Sequence, residues 1–246
     1  PTNSDTFYLL DWDNDGMLMR KEYEIRQRAD GQSWENGISN YWGNILLRRC
    51  LQTKSFRTAL DKAVNDEYKY MSAGRINSMV RQYRSIVEPY VQKMPDSMHE
   101  PLTSSQYDTV ADQLHSEIEQ NYQTYQTGFN KPMPFYIGKP TPANGKLRLN
   151  WDVAYDFNDE DLRYAVTVSK DYAGDDVVFS QRDVVLPEAV MDMPDEGQYF
   201  IKVSVRNASG YTQDAFDHYI TDGNKIYGTK CFYVKADGSI VEDANE

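Results

Sequence analysis

The sequence predicts an α+β chain in which helices come first and an all-β sandwich follows. Three observations support this prediction. Apolar residues recur with a helical period up to about residue 122, closely spaced prolines interrupt the pattern between 131 and 142, and beyond them the period changes to two. We therefore expect a helical region over residues 1–137 and a β-sandwich over residues 138–246.

The first segment of chemical interest is an apolar run at residues 7–10, followed at once by Asp11, Asp13 and Asp15. Alternate side chains of an extended segment point the same way, so the three carboxylates would share one side. Crowded carboxylates repel each other unless a cation lies among them, and oxygen ligands select Mg²⁺, Mn²⁺ or Ca²⁺. We expect a metal site here, with a solvated acidic turn closed by Gly16 as the alternative.

Two kinds of metal site fit this spacing. One is the EF-hand calcium loop: counted from Asp11, acidic residues and a glycine fall at the loop positions that require them, and Glu22 is at position twelve. However, the ten residues before Asp11 are too few for the entering helix of an EF-hand. The other kind is a kinase-like magnesium site, in which an aspartate at a strand end holds the metal that bridges nucleotide phosphates.

Four helices are predicted next, and their apolar stripes are expected to form core. Ser39 is the expected N-cap of a helix at residues 41–51, and a second helix starts near Thr53. Gly74 is expected to end that helix, and a third helix follows. A capping box at Ser105 is expected to open the fourth helix. The stripe of the third helix comprises Ile76, Met79, Val80, Tyr83, Ile86, Val87 and Tyr90.

The prolines at residues 132–142 predict a short, stiff linker. Strands with alternating apolar residues are predicted beyond it at residues 147–151, 164–168, 199–205 and 229–234. About one hundred residues of such strands is the size of an immunoglobulin-like sandwich.

Parts of this second half resemble a fibronectin type III module. The resemblance rests on residues 149–151, 197–203 and 207–210, and it implies that Trp151 is the core tryptophan and Tyr199 the corner tyrosine. The acidic segment at residues 156–161 departs from that pattern. We interpret it as a solvated turn, with a calcium site as the alternative.

Composition excludes several function classes. The net charge of −12 argues against binding nucleic acid or an anionic membrane surface. The acidity lies mostly in the second half: residues 1–137 contain 15 Lys+Arg and 18 Asp+Glu, whereas residues 138–246 contain 11 Lys+Arg and 20 Asp+Glu. No run reaches the length of a membrane span. Two cysteines give no disulfide framework, and three scattered histidines give no zinc spacing.

Residues 7–16, 34–44 and 46–49 together resemble the spore coat protein H (CotH) kinase family, whose Trp-Asp-x-Asp motif corresponds to Trp12 through Asp15. The resemblance implies the helical C-lobe of an atypical, secreted protein kinase, with ATP and Mg²⁺ or Mn²⁺ as cofactors. It assigns the metal-binding aspartate of ordinary kinases to Asp13, with Asp15 as the second acid and Asp11 assisting. The implied partner is a protein of the bacterial cell surface or spore coat.

In that family the nucleotide-binding lobe, its lysine and the catalytic aspartate lie upstream of the motif. We therefore expect the chain to be the C-terminal portion of a longer kinase that is inactive as this portion, and no catalytic residue is assigned. The rival interpretation is a non-enzymatic, extracellular binding protein of the cell surface or spore coat, in which the acidic loop holds structural Ca²⁺.

Overall fold

The computed structural model describes residues 37–91, 93–95, 98, 103–221 and 224–242. A 3₁₀ helix at Gly37–Tyr41 precedes the α-helices of this part of the chain. These are α1 Ile45–Gln52, α2 Lys54–Tyr70, α3 Ala73–Val91 and α4 Ser104–Gly128. The strands are β1 Thr141–Ala143, β2 Lys146–Asn150, β3 Arg163–Ser169, β4 Val177–Val184, β5 Glu188–Asp192, β6 Gly197–Arg206, β7 Thr212–Asp214, β8 His218–Thr221, β9 Asn224–Tyr227, β10 Thr229–Val234 and β11 Ile240–Glu242.

The strands form antiparallel, sandwich-like sheets. One sheet has the order β1-β2-β5, the other has the order β11-β10-β6-β3-β4 with β7 beside β6, and β8 pairs with β9. Helices followed by antiparallel sheets confirm the predicted α+β class. The predicted strands are β2, β3, β6 and β10. Both sheets contribute to one hydrophobic cluster, which includes Leu147, Leu149, Met191, Val166, Val168, Ile201, Val203 and Phe232.

The chain divides into two compact units, and the divisions fall inside α2 and α4. The first unit contains Val64–Asn121. The second contains the described residues of Asp30–Ala63 and of Tyr122–Glu246. The boundary between residues 137 and 138 that the sequence suggests stays a prediction.

In the first unit, the N-terminal half of α3 packs against α4. Ile76 is 5% exposed, and Arg84 forms an ion pair with Asp108 near the start of α4. The predicted core stripe is wrong further along, because Tyr83 and Tyr90 are 60% and 67% exposed.

The start of α1 differs from the prediction. Its N-cap is Asn44, whose Oδ1 accepts hydrogen bonds from the N–H groups of Leu46 (3.0 Å) and Leu47 (3.2 Å). Ser39 is instead buried in the 3₁₀ helix. The inward side of this helix also differs from the predicted apolar face, because Leu51 is buried while Ile45 and Leu46 are exposed.

Two other helix ends were also misplaced by sequence. The capping box of α4 is formed by Thr103 and Gln106, in which the Thr103 N–H donates to Gln106 Oε1 at 2.9 Å and the Gln106 N–H donates to Thr103 Oγ1 at 3.4 Å. Ser105 therefore lies inside the helix. Gly74 does not end α2 but occupies the first turn of α3, where a glycine costs little.

The predicted linker is in fact buried in the second unit. Met133 is fully buried in an aromatic cluster, while Phe135 and Ile137 belong to the sandwich cluster. Its backbone pairs with residues 150–155, since the Met133 N–H donates to the Tyr155 carbonyl at 2.7 Å and the Gly138 N–H donates to the Asn150 carbonyl at 2.9 Å. The prolines make the segment extended, but they do not separate it from its neighbours.

Candidate functional site

The predicted metal ligands Asp11, Asp13 and Asp15 lie outside the described residues, as do Glu22 and Trp34. Their arrangement therefore stays a prediction. Among the residues that the structure does describe, no group of three or more His, Cys, Asp or Glu side chains is placed to hold a metal ion.

The described part of the stretch that resembles the CotH family begins at Gly37 and forms a tight, packed turn. Gly37 has a φ of +69°, and a Cβ on it would lie 3.2 Å from both the Cγ2 atom and the carbonyl oxygen of Thr124. Only glycine combines a positive φ with so close an approach. Ile38 follows, buried against Gly128. The turn is thereby fixed to the C-terminal end of α4.

Trp42 anchors the other end of this turn. Its side chain is 4% exposed, and its ring stacks on Tyr155 with the ring centroids 5.2 Å apart. Phe157 meets it edge-on at 5.7 Å, and Met133 and Phe216 belong to the same cluster. Trp42 is therefore a core aromatic of the second unit. Through Trp42, the turn that precedes α1 packs against the segment that precedes the sandwich strands.

A cleft of about 310 Å³ opens beside Trp42, and several polar side chains line it. The guanidinium of Arg48, the amide of Gln52 and the carboxylate of Asp152 make no hydrogen bond or ion pair within the described structure. The same holds for the hydroxyls of Tyr136 and Tyr155. Sequence reasoning missed this cleft because its walls come from residues 42–52, 134–136 and 152–155, which no motif connects.

A buried ionic cluster lies elsewhere in the second unit. Asp217 accepts a hydrogen bond from the Ile137 N–H at 2.7 Å, and Lys230 donates to the Ile137 carbonyl at 2.7 Å. The Lys230 ammonium lies 3.4 Å from Asp217 and 3.2 Å from Glu242. Burial raises the pKa of the Asp217 carboxyl, while the Ile137 N–H and Lys230 act to lower it. Because each group has a partner, the cluster holds segments together rather than offering a reactive group.

The acidic segment at residues 156–161 is partly a structural turn. Asp156 is buried, accepts a hydrogen bond from the Asn158 N–H at 2.8 Å, and accepts another from the Asn207 amide at 3.0 Å. The solvated-turn interpretation therefore fails for Asp156, whose carboxylate organises the turn. It holds for Asp159 and Asp161, which are exposed.

Trp151 and Tyr199, the two residues named in the fibronectin resemblance, are both buried in the sandwich cluster. Trp151 is buried in the sandwich cluster directly after β2. The Tyr199 hydroxyl donates to the Asp195 carbonyl at 3.0 Å, four residues upstream, as a corner tyrosine does. Cys231 is buried, Cys50 is partly buried, and neither forms a disulfide.

Comparison with known proteins supports a family assignment. No curated protein matches the chain in a sequence search. In the described part of the chain, no helix has the length and apolar character needed to cross a membrane. The model of the CotH kinase protein family matches residues 1–125, half of the chain, and this range includes both the acidic motif and the turn anchored by Trp42. The chain therefore belongs to the CotH kinase protein family.

Proposed function

We propose that the chain takes part in phosphoryl transfer from ATP to a hydroxyl group of a protein on the bacterial surface or spore coat. The observation that carries this proposal is the family match over residues 1–125, which includes the acidic motif. Asp13 would hold Mg²⁺ or Mn²⁺, and Asp15 and Asp11 would assist through their charge or through a bound water.

Phosphoryl transfer requires two main contributions from a protein, which are charge neutralisation and positioning. Phosphoryl transfer is catalysed mainly by placing the reactants and neutralising the charge on the phosphate oxygens, and the metal ion supplies much of that neutralisation. Carboxylates that follow one another at alternate positions are suited to hold such an ion because oxygen ligands match its hardness. In this proposal the acidic motif binds the metal ion, and the helices form the scaffold that supports the motif.

Calorimetric titration of the chain with Mg²⁺, Mn²⁺ and Ca²⁺, each with and without ATP, tests the proposal. We expect Mg²⁺ or Mn²⁺ binding to be weak without nucleotide, to tighten with ATP either in the chain itself or once the upstream nucleotide-binding lobe is supplied, and to be lost in Asp13→Asn. Asp175→Asn is the matched control, because Asp175 is an exposed aspartate in the loop between β3 and β4. Equal loss in both variants would contradict a specific site at Asp13.

The EF-hand spacing supports a second candidate, a structural calcium loop in a non-enzymatic binding protein. Glu22, at position twelve of that loop, distinguishes the candidates because the kinase site does not use it. Micromolar Ca²⁺ binding that ignores ATP and is lost in Glu22→Gln would support the calcium loop and overturn the kinase proposal. Nucleotide-dependent binding that survives Glu22→Gln would do the opposite.

We further propose that the β region is a fibronectin type III-like module. Its support is the division of strands into β1-β2-β5 and β4-β3-β6-β10, together with the Tyr199 to Asp195 hydrogen bond. Modules of this architecture often serve attachment or spacing, which suits an extracellular protein of a cell surface or spore coat.

A further inference from the structure

We propose that the cleft beside Trp42 binds a carbohydrate that carries a carboxylate, namely a uronic acid residue of an acidic polysaccharide. The proposal concerns the second compact unit and does not rest on the kinase chemistry proposed above. It is argued from the charge, the hydrogen-bonding groups and the aromatic surface that the cleft brings together.

The first argument is the charge of Arg48. This residue is partly buried on α1 and lines the cleft, yet its guanidinium has no ion pair and no hydrogen bond in the described structure. A partly desolvated cation without a counter-ion is unfavourable, and the planar fork of a guanidinium matches a carboxylate through two parallel hydrogen bonds. A ligand for this cleft should therefore bring an anion with carboxylate geometry.

The second argument is the mixture of donors and acceptors around that cation. The Gln52 amide and the hydroxyls of Tyr136 and Tyr155 can each donate and accept, whereas the Asp152 carboxylate only accepts. The described structure gives none of these side-chain groups a partner. The hydroxyl groups of a sugar also both donate and accept, so a single sugar ring can satisfy several of them at once.

The third argument is an exposed aromatic ring held in a fixed position. Tyr136 is 48% exposed, and the other side of its ring contacts Phe216 with the centroids 5.1 Å apart. An aromatic ring that is supported on one face and open on the other can stack against the C–H face of a pyranose ring. Trp42, whose ring stacks on Tyr155, also lines the cleft.

Asp152 also argues against two other anionic ligands. A phosphate group carries up to two negative charges, which the Asp152 carboxylate repels, and few hydroxyl donors, whereas a uronic acid carries one charge and several hydroxyl donors. An acidic peptide would bring backbone groups, but the two β-like segments lining the cleft already pair with each other, since the Asp152 N–H donates to the Tyr136 carbonyl at 2.9 Å. Recognition is left to the side chains, as in a sugar site.

The test is calorimetry of the full chain in metal-free buffer, so that the acidic motif cannot contribute. The probes are tetragalacturonate and a hyaluronan tetrasaccharide, with a neutral galactose tetrasaccharide, inorganic phosphate and a tetraglutamate peptide as the competing classes. We expect one of the two acidic sugars to bind, and Arg48→Gln to weaken that binding at least tenfold.

Arg49→Gln is the matched control, because Arg49 is the next residue of the same helix, is exposed and does not line the cleft. It should leave the affinity unchanged, and Tyr136→Leu should weaken it with the fold intact by circular dichroism. The proposal is overturned if neither acidic sugar binds, if phosphate or the peptide binds more tightly, or if Arg48→Gln and Arg49→Gln have equal effects.

Discussion

Replacing Lys230 by methionine tests whether the buried ionic cluster stabilises the second unit. Methionine keeps the unbranched stem of the Lys230 side chain, which is 12% exposed, but removes the ammonium that lies near Asp217 and Glu242. The Ile137 carbonyl would lose its 2.7 Å donor at the same time. Asp217 would keep the Ile137 N–H as a partner, but its charge would be uncompensated.

The expected cost is large because removing one partner leaves a buried charge behind. Breaking a buried ion pair in this way costs about 3–5 kcal/mol, and we expect about 3 kcal/mol because Glu242 is 35% exposed and can be solvated. Lys170→Met provides the control, since it removes the same charge from an exposed residue. Its free energy of unfolding should change by less than about 0.5 kcal/mol.

The cost should also depend on pH. Burial raises the pKa of Asp217 above its unfolded value of about 3.9, so folding takes up a proton and stability falls as pH rises through this window. Without Lys230, which lowers that pKa, the window extends to higher pH. The deficit of Lys230→Met should therefore be largest near neutral pH and shrink toward pH 4.

Urea unfolding followed by tryptophan fluorescence at several pH values measures both effects. The reasoning is refuted if Lys230→Met loses less than about 1 kcal/mol at pH 7, or if the deficit grows on acidification.

Three smaller predictions concern single contacts in the second unit, and urea unfolding measures each of them. Gly37→Ala should lower the free energy of unfolding by about 2 kcal/mol, because the residue has a left-handed φ and the new Cβ also contacts Thr124. Gly145→Ala is its control and should cost about 1 kcal/mol, because Gly145 has a φ of +74° but nothing within 4 Å of the added Cβ. Tyr199→Phe should cost about 1 kcal/mol by losing its bond to Asp195, whereas the exposed Tyr211→Phe should be neutral. Asn44→Ala should also cost about 1 kcal/mol, and Asn44→Ser should restore the cap. Equal costs within a pair would contradict the corresponding contact.

The strands of the sandwich were predictable because their sequences alternate over five or more residues. In β6, Ile201, Val203 and Val205 are buried and the residues between them are more exposed, so the pattern reports the two faces directly. In β4, only Val184 is buried. That strand lies at the edge of its sheet and has no such alternation, because most residues on both of its faces are exposed.

Helix ends were less predictable because several residues compete for each cap. Ser39 and Asn44 are both good N-cap types, but in the structure Ser39 lies within the 3₁₀ helix and Asn44 caps α1. The segment at residues 131–138 misled for a related reason. Its prolines indicate an extended chain, but Met133, Phe135 and Ile137 alternate with them, and that alternation was the signal of burial.

The candidate cleft could not be predicted because no local pattern joins its walls. Arg48 reads as one more charged residue on a helix, and Asp152 as one more acid after a strand. Their meeting depends on how residues 133–138 pair with residues 150–155, which is a property of the fold.

The buried segment at residues 133–137 has a consequence for how this protein can be divided. Met133 inserts into the aromatic cluster around Trp42, and Phe135 and Ile137, on the same few residues of backbone, insert into the sandwich cluster. A proteolytic cut or a gene fusion point within these residues would open both clusters at once. We therefore expect that the β region is not exchanged between proteins as an independent domain. We expect it to be inherited together with the family region that ends near residue 125.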